Sequence, residues 1–343
     1  MWSLEQIWND VLIGMERPRK PRDYIYSSEI GKSYWDRYQK MMGVEYTNPY
    51  DDRVLRKFSA GNFFEDLIGI VLKKIGILVE EQTKIEIPAT KDMLRVSGRM
   101  DFLAGGVTNW NDARKRVKES EFPTAVEGIA MNLIDYFEKK YPKGLEKKLL
   151  EIKSVNSQVF WAKKDYLEEA YPHHVFQLYS YMRQLGYKEG TIVYISKDDL
   201  TIKEIEVKAT PELEKKFLED IKTMSGYYIS KTEPPLPQRV VYDARKKLRF
   251  SAKKKLEHLG TEHELNKIAV KNGLGEIGAN YKIVVVGCNT CNWEVDWSPY
   301  RNLITGTKND EEYKQYERET NAIASDRNDE VKDEFINKLT KLI

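Results

Sequence analysis

Cysteine is nearly absent from this chain. Cys288 and Cys291 are the only two in 343 residues, too few for a disulfide framework. Charge of one sign is missing as well: 56 Lys and Arg face 54 Asp and Glu, leaving a net charge of +2. No global field therefore marks nucleic acid as the partner, and any basic groove has to be local. Long apolar runs are lacking too. The densest window, "FFEDLIGIVLKKIGILVEE", is broken by charges, unlike the roughly 18 uninterrupted apolar residues of a membrane span. The opening "MWSLEQIWND" has neither the basic nor the apolar region of a secretory signal. These absences lead us to expect a soluble protein of a reducing cytoplasm, with no membrane partner.

What is present reads as a folding chain. Hydrophobic residues make up 41%, charged residues 32% and aromatics 11%, a globular balance with a highly charged surface. The length suits one principal core with insertions, or a core plus a smaller appendage. Residues 1–57 read as an aromatic, charged, helical lead-in, with the Pro-broken linker "RPRKPRD" before a helix around "SYWDRYQKMMG". From Phe58 to Ile75, Phe64, Leu67, Ile68, Val71, Leu72 and Ile75 recur with helical periodicity. "ILVEEQTKIEIP" and "MLRVSGRMDFLAGG" alternate as two strands of a hairpin. A basic helical insertion spans 105–147, and "KLLEIKSVN" returns as a strand. A helix from Pro172 to Leu185, the strands "GTIVYIS" and "TIKEIEVK", and a helix from Pro211 to Ser230 follow. "EPPLPQ" is a rigid break, so a core over 58–233 and a C-terminal extension over 234–343 are expected. We find no internal repeat.

One triplet on the returning strand carries the functional argument. Glu-x-Lys is common here, as at Glu138/Lys140 and Glu206/Lys208, and most copies belong to solvated faces. Glu151 and Lys153 differ because Leu149, Leu150, Ile152 and Val155 surround them, and charges are rarely buried without partners. Period two puts Glu151 and Lys153 on one face. It also puts Arg95, Ser97, Arg99 and Asp101 on one face of "RVSGRMDFL", with Val96, Gly98, Met100 and Phe102 on the other. If the two strands pair, Asp101 and Glu151 converge. Glu65 faces inward from the helix, in line with Gly61, Ile68 and Leu72. Two carboxylates about 4 Å apart repel by roughly 4 kcal/mol at an effective dielectric near 20, so three together require raised pKa values or a bound divalent cation. Magnesium, with manganese as a substitute, suits such oxygen ligands, and the backbone carbonyl of Ile152 is a further candidate ligand for one or two ions. Lys153 would then orient or deprotonate the attacking water in phosphodiester hydrolysis.

These residues resemble the PD-(D/E)XK nucleases, in particular their RecB-like exonuclease branch, over roughly residues 25–210. The elements that carry the resemblance are "GNFFE" with Glu65, "GRMD" with Asp101, "EIK" with Glu151 and Lys153, and "HHVFQLYSYM", whose Gln177 and Tyr181 match the branch's Gln-x-x-x-Tyr pattern. The resemblance implies an α/β restriction-endonuclease-like core, αβββαβ, with a central mixed sheet flanked by helices. It implies a Mg²⁺- or Mn²⁺-dependent deoxyribonuclease, acting on DNA with a free end in phage or bacterial recombination or repair, alongside a recombination or helicase partner. Gln177 and Tyr181 would position lysine and substrate. A sequence- or structure-specific endonuclease and a silent DNA-binding scaffold remain alternatives.

The chain also departs from that pattern. Many relatives have His where Glu65 stands, which leaves Asp66 as a second candidate ligand. Several hold an iron–sulfur cluster, yet Ser33 occupies the early Cys position here. Two cysteines cannot supply four thiolates, so no such cluster is expected within one monomer. Zinc at Cys288 and Cys291 with His258 or His263 has poor spacing. His174 and its neighbour His173 read as structural or phosphate-facing. Lys197 reads as a DNA contact or a plain surface lysine. Arg99 and Trp161 are further candidates for DNA contact, with Phe160 and Tyr166 beside Trp161 as stacking groups. The stretches "DARKRVK", "ARKKLRF" and "SAKKKLEH" would fit phosphates, though half or more of their charges belong to solvated faces.

Overall fold

The structure is a computed structural model. It describes residues 3–14, 19–120, 123–156, 160, 169–237, 245–247, 262–272, 276–278, 282–284, 295–318 and 337–342. The chain divides into two units, one of residues 1–45 and 50–234, the other of 46–49 and 235–343.

The first unit is α/β, with a mixed central sheet flanked by helices. Its described elements are α1 (Leu4–Gly14), β1 (Tyr24–Tyr26), a 3₁₀ turn (Ser27–Glu29), α2 (Tyr34–Met42), α3 (Asp52–Lys74), β2 (Leu78–Ile87), β3 (Arg95–Ala104), α4 (Trp110–Glu119), α5 (Thr124–Lys140), β4 (Lys148–Val155), α6 (Pro172–Leu185), β5 (Glu189–Ser196), β6 (Ile202–Lys208) and α7 (Pro211–Ser230). Helix ends follow local chemistry. Ser33 is the N-cap of α2, its side chain accepting the Asp36 N–H. Asp51 caps α3 by accepting the Val54 N–H at 2.7 Å. That cap starts the helix six residues before Phe58, in a stretch whose polar residues hide its periodicity. Thr210 caps α7 in the same way, with Pro211 at its first position.

The sheet runs β1-β3-β4-β5-β6, with β2 on the other edge of β3. β2 lies antiparallel along nearly all of β3. The opposite edge of β3 is shared: β1 pairs in parallel with Arg95–Ser97, and β4 pairs antiparallel with Phe102–Ala104 only. β4 then follows β5 in parallel from Leu150 to Val155. Past Leu150, therefore, β3 and β4 part like the arms of a fork. The main core, with Ile25, Met100, Leu103, Leu149, Leu178 and Met182, lies on the α6 side. A second cluster, with Phe64, Leu72, Phe102, Ile152 and Val193, lies under α3.

Regular alternation fails at the fork. Met100 and Leu103 belong to the main core whereas Phe102 packs under α3, so Phe102 does not share a face with Met100 as strict period two requires. The break lies opposite Gln82, whose backbone is left-handed at φ 51°, between the pairs Glu81↔Phe102 and Thr83↔Met100. The irregular backbone of β2 at Gln82 thus lies beside the point where β3 changes faces.

The insertion builds its own small cluster from Val107, Trp110, Ala113, Val117, Ala130 and Ile134, closed by a bridge between Val107 and Leu145. In its basic stretch, Arg114 pairs with Asp135 and Glu138 of α5 and Arg116 donates to the Gly76 carbonyl. Those two charges brace the insertion. In the second unit, three short strands, β7 (Arg245–Lys247), β8 (Glu276–Gly278) and β9 (Lys282–Val284), pair antiparallel in the order β7-β9-β8. Asn48 is stitched to the C-terminal chain of this unit, donating its N–H to the Pro299 carbonyl and accepting the Asn302 N–H on its side chain. No helix among the described residues is long and apolar enough to cross a membrane.

Candidate active site

The fork collects the charged groups. Where the β3–β4 ladder stops, the Ile152 N–H donates to Asp101 Oδ2 at 2.8 Å, so a side chain takes the place of a strand. Asp101 and Glu151 are both buried, Glu151 completely. The Lys153 ammonium stands against Glu151 as an ion pair. Beyond Lys153, neither Glu151 oxygen accepts a hydrogen bond from the described residues. Glu65 reaches the group from α3 and accepts from the Gln82 side chain, while Asp66 is exposed.

The electrostatics follow from this crowding. Burial, then the Glu151 charge, pushes the Asp101 carboxyl up to about 8. Burial and Asp101 push Glu65 up to about 7, and burial raises Glu151 as well. Burial alone would lower Lys153, but the surrounding carboxylates, Glu151 first, outweigh it and hold the ammonium above its ordinary value. Three acids that resist ionisation together share one lysine.

α6 closes the fork from below. Gln177 and Tyr181 are buried, and Gln177 Nε2 donates to the Tyr181 hydroxyl at 3.1 Å. Burial, then Glu151, raises the Tyr181 phenol, which also meets the Arg99 backbone. Gly98 permits this approach: a Cβ there would lie 2.3 Å from Ser27 Oγ and 2.8 Å from Tyr181 Cε1.

The remaining candidates have other settings. His174 Nδ1 lies 2.8 Å from the Tyr194 hydroxyl, and burial followed by His173 holds it neutral. Burial likewise lowers His173 to about 4. Lys197, at the end of β5, is partly buried and lowered by burial and by Lys57. The Arg99 side chain is exposed and its charge is felt by both Glu65 and Asp101. Phe160 is a core residue rather than a stacking surface. Trp161, Tyr166, Cys288, Cys291 and His258 lie outside the described residues, as does "SAKKKLEH". Gln82 was missed by sequence reasoning, since nothing in "VEEQTKIEI" marks a left-handed position.

The donors are of the chemical kind a hard divalent cation takes, though they are not drawn together around one point. The set is all carboxylate, with Asp101 and Glu151 buried and Glu65 half-buried, and Glu151 has Lys153 as its ion-pair partner. Among the described residues no three His, Cys, Asp or Glu side chains form a ready-made metal cluster. Asp101 is turned to Ile152, Glu151 to Lys153 and Glu65 to Gln82.

No protein-family model and no curated protein matches the sequence. Among solved structures, the chain is similar to one described as the crystal structure of SSO0001, at 15% identity and a TM-score of 0.39, over 68% of this chain and 89% of that one.

Proposed function

We propose that this chain is a divalent-metal-dependent deoxyribonuclease of PD-(D/E)XK type that degrades DNA from a free end. The observation that carries the reading is the group formed by the buried Asp101 and Glu151 with the half-buried Lys153 at the point where β3 and β4 separate. The order α3-β2-β3-β4-α6-β5, interrupted by the insertion, supports a restriction-endonuclease-like core.

In this reading Asp101, Glu151 and Glu65 hold magnesium or manganese, with the Ile152 carbonyl as a further candidate ligand. When bound, the ion supplies positive charge against the phosphate and makes water a better nucleophile. Lys153 holds its ammonium beside Glu151, where it steadies the attacking water or a phosphate oxygen. Tyr181 and Gln177 brace the fork from beneath, which fixes the distance between β3 and β4. Burial keeps bulk water from screening these charges.

A second reading, a DNA-binding scaffold without catalysis, is favoured by the internal partner that each carboxylate already has. Digestion of end-labelled linear DNA with and without Mg²⁺ or Mn²⁺, beside a covalently closed circle, separates the readings. Metal-dependent loss of the linear DNA alone, abolished by Lys153→Ala, is the expected result. Cleavage of the circle would make the enzyme an endonuclease, and binding without cleavage would leave the scaffold.

A further inference from the structure

The outward face of the sheet next to the fork carries an arrangement that the nuclease site does not use. β1 is an edge strand three residues long. Its register, Tyr24↔Arg95 and Tyr26↔Ser97, sets both tyrosines on the face of Arg95 and Arg99. Ile25, between them, is fully buried on the other face. The tyrosine rings meet edge to face at 5.1 Å and 87°, and their hydroxyls are 2.9 Å apart. Arg22 lies over Tyr26 at 4.3 Å and Arg95 over Tyr24 at 4.8 Å.

Salt bridges hold this arrangement in place. Glu29 fixes Arg22 with two contacts of 2.6 and 2.7 Å, and Glu86 fixes Arg95 at 2.7 Å. Tyr26 is nevertheless 41% exposed, a large aromatic surface left open to solvent. Lys84, paired in register with Arg99, is also exposed. Lys84 also pairs with Glu86 and Arg99 faces Glu65 and Asp101, so this face carries a cluster of guanidinium and ammonium groups on a chain that is nearly neutral overall. The surface runs along β3 toward Asp101, and Ser97 to Asp101 spans about 13 Å at ~3.3 Å per residue.

We infer that the Tyr24–Tyr26 face, with Arg95, Arg99 and Lys84, is a binding platform for single-stranded nucleic acid that leads a strand along β3 into the fork. The exposed Tyr26 ring, braced edge to face by the half-buried Tyr24, offers a stacking surface to an unpaired base, and the flanking cations take the phosphates. A duplex keeps its bases stacked within itself and presents only phosphates to this surface. The inference deepens the nuclease reading and rests on it for the destination of the strand, but the binding it claims is independent of cleavage.

The test is fluorescence anisotropy of a short labelled single-stranded oligodeoxynucleotide, and of the same sequence as duplex, in EDTA. Wild type is compared with Tyr24→Ala/Tyr26→Ala and with Tyr24→Phe/Tyr26→Phe. The alanine pair is expected to weaken single-strand binding by about tenfold or more and duplex binding by less than about twofold, with the phenylalanine pair close to wild type because the rings remain. Single-strand affinity within about twofold of wild type in the alanine pair, or an equal loss on duplex, would overturn the inference. Photo-crosslinking of a bromouracil oligonucleotide to the wild-type protein reads the same contact without any substitution. A crosslink on the peptide holding Tyr24 and Tyr26 is expected, and crosslinks confined to other segments would overturn it. Wild type that binds in this pattern without cleaving DNA would sink the nuclease reading and leave the platform standing. Wild type that cleaves with unaltered binding in the alanine pair would do the reverse.

Discussion

Asp101 accepts the Ile152 N–H at 2.8 Å, so the carboxyl that the nuclease reading assigns to a metal is also the group that ends the β3–β4 ladder. Structure and chemistry compete for that side chain. An amide keeps an acceptor for the Ile152 N–H and, above about pH 8 where Asp101 ionises, removes the charge that repels Glu151. Asp101→Asn is therefore expected to abolish cleavage, and above about pH 8 to raise the unfolding temperature of the metal-free protein. Asp101→Leu leaves the buried Ile152 N–H without a partner and should cost about 1–3 kcal/mol. Thermal unfolding of both variants checks the pair, and an unstable Asp101→Asn would contradict the assigned repulsion.

Stability should depend on pH with a definite sign. Asp101 and Glu65 hold protons up to about 8 and about 7 in the folded chain, against about 4 for ordinary carboxyls. Between those limits the folded state binds more protons than the unfolded state. Their contribution is therefore present at low pH and lost as pH rises through 7 and 8. Unfolding temperatures of the metal-free protein should fall over that window. Mn²⁺, which displaces those protons, should restore stability more strongly at pH 8 than at pH 6; equal protection at both would count against the shifts.

Gln82 combines a left-handed backbone with a side-chain hydrogen bond to Glu65. Gln82→Gly keeps the backbone without strain but frees Glu65, so we expect near-normal stability with a several-fold higher metal requirement. Gln82→Val places a β-branched residue at positive φ and should cost roughly 1–3 kcal/mol. Metal-activation curves together with unfolding curves separate the two effects.

Gly98 admits Tyr181 to the fork. Gly98→Ala drives a Cβ into Ser27 and Tyr181 and should destabilise by about 1–3 kcal/mol, with a loss of activity that Ser27→Gly relieves only in part. Unfolding and cleavage measured on the single and double variants test this.

Much of the sheet was legible because period-two runs and buried charges leave few options. An acid and a lysine set among Leu149, Leu150, Ile152 and Val155 need partners, and the register of β3 against β4 brings Asp101 beside them. The fork itself was not legible. It depends on β1 taking up one end of the β3 edge, and a three-residue strand within an aromatic lead-in has no periodicity to read. For the same reason Tyr24 and Tyr26 attracted no attention, and Gln82 carries no glycine or asparagine signal for its conformation. The early start of α3 was hidden because its first turns are mostly polar and its cap, Asp51, lies seven residues before Phe58.

The central claim is that the carboxylates of the fork form a divalent-ion site. Titrating Mn²⁺ into the metal-free protein and following the loss of the free-ion electron paramagnetic resonance signal tests it directly, with wild type beside Asp101→Asn and Glu151→Gln. We predict uptake of one or two ions by wild type, tightening as pH rises, and loss of that uptake in both folded variants. Uptake that is absent in wild type, or unchanged by either substitution, would contradict the account.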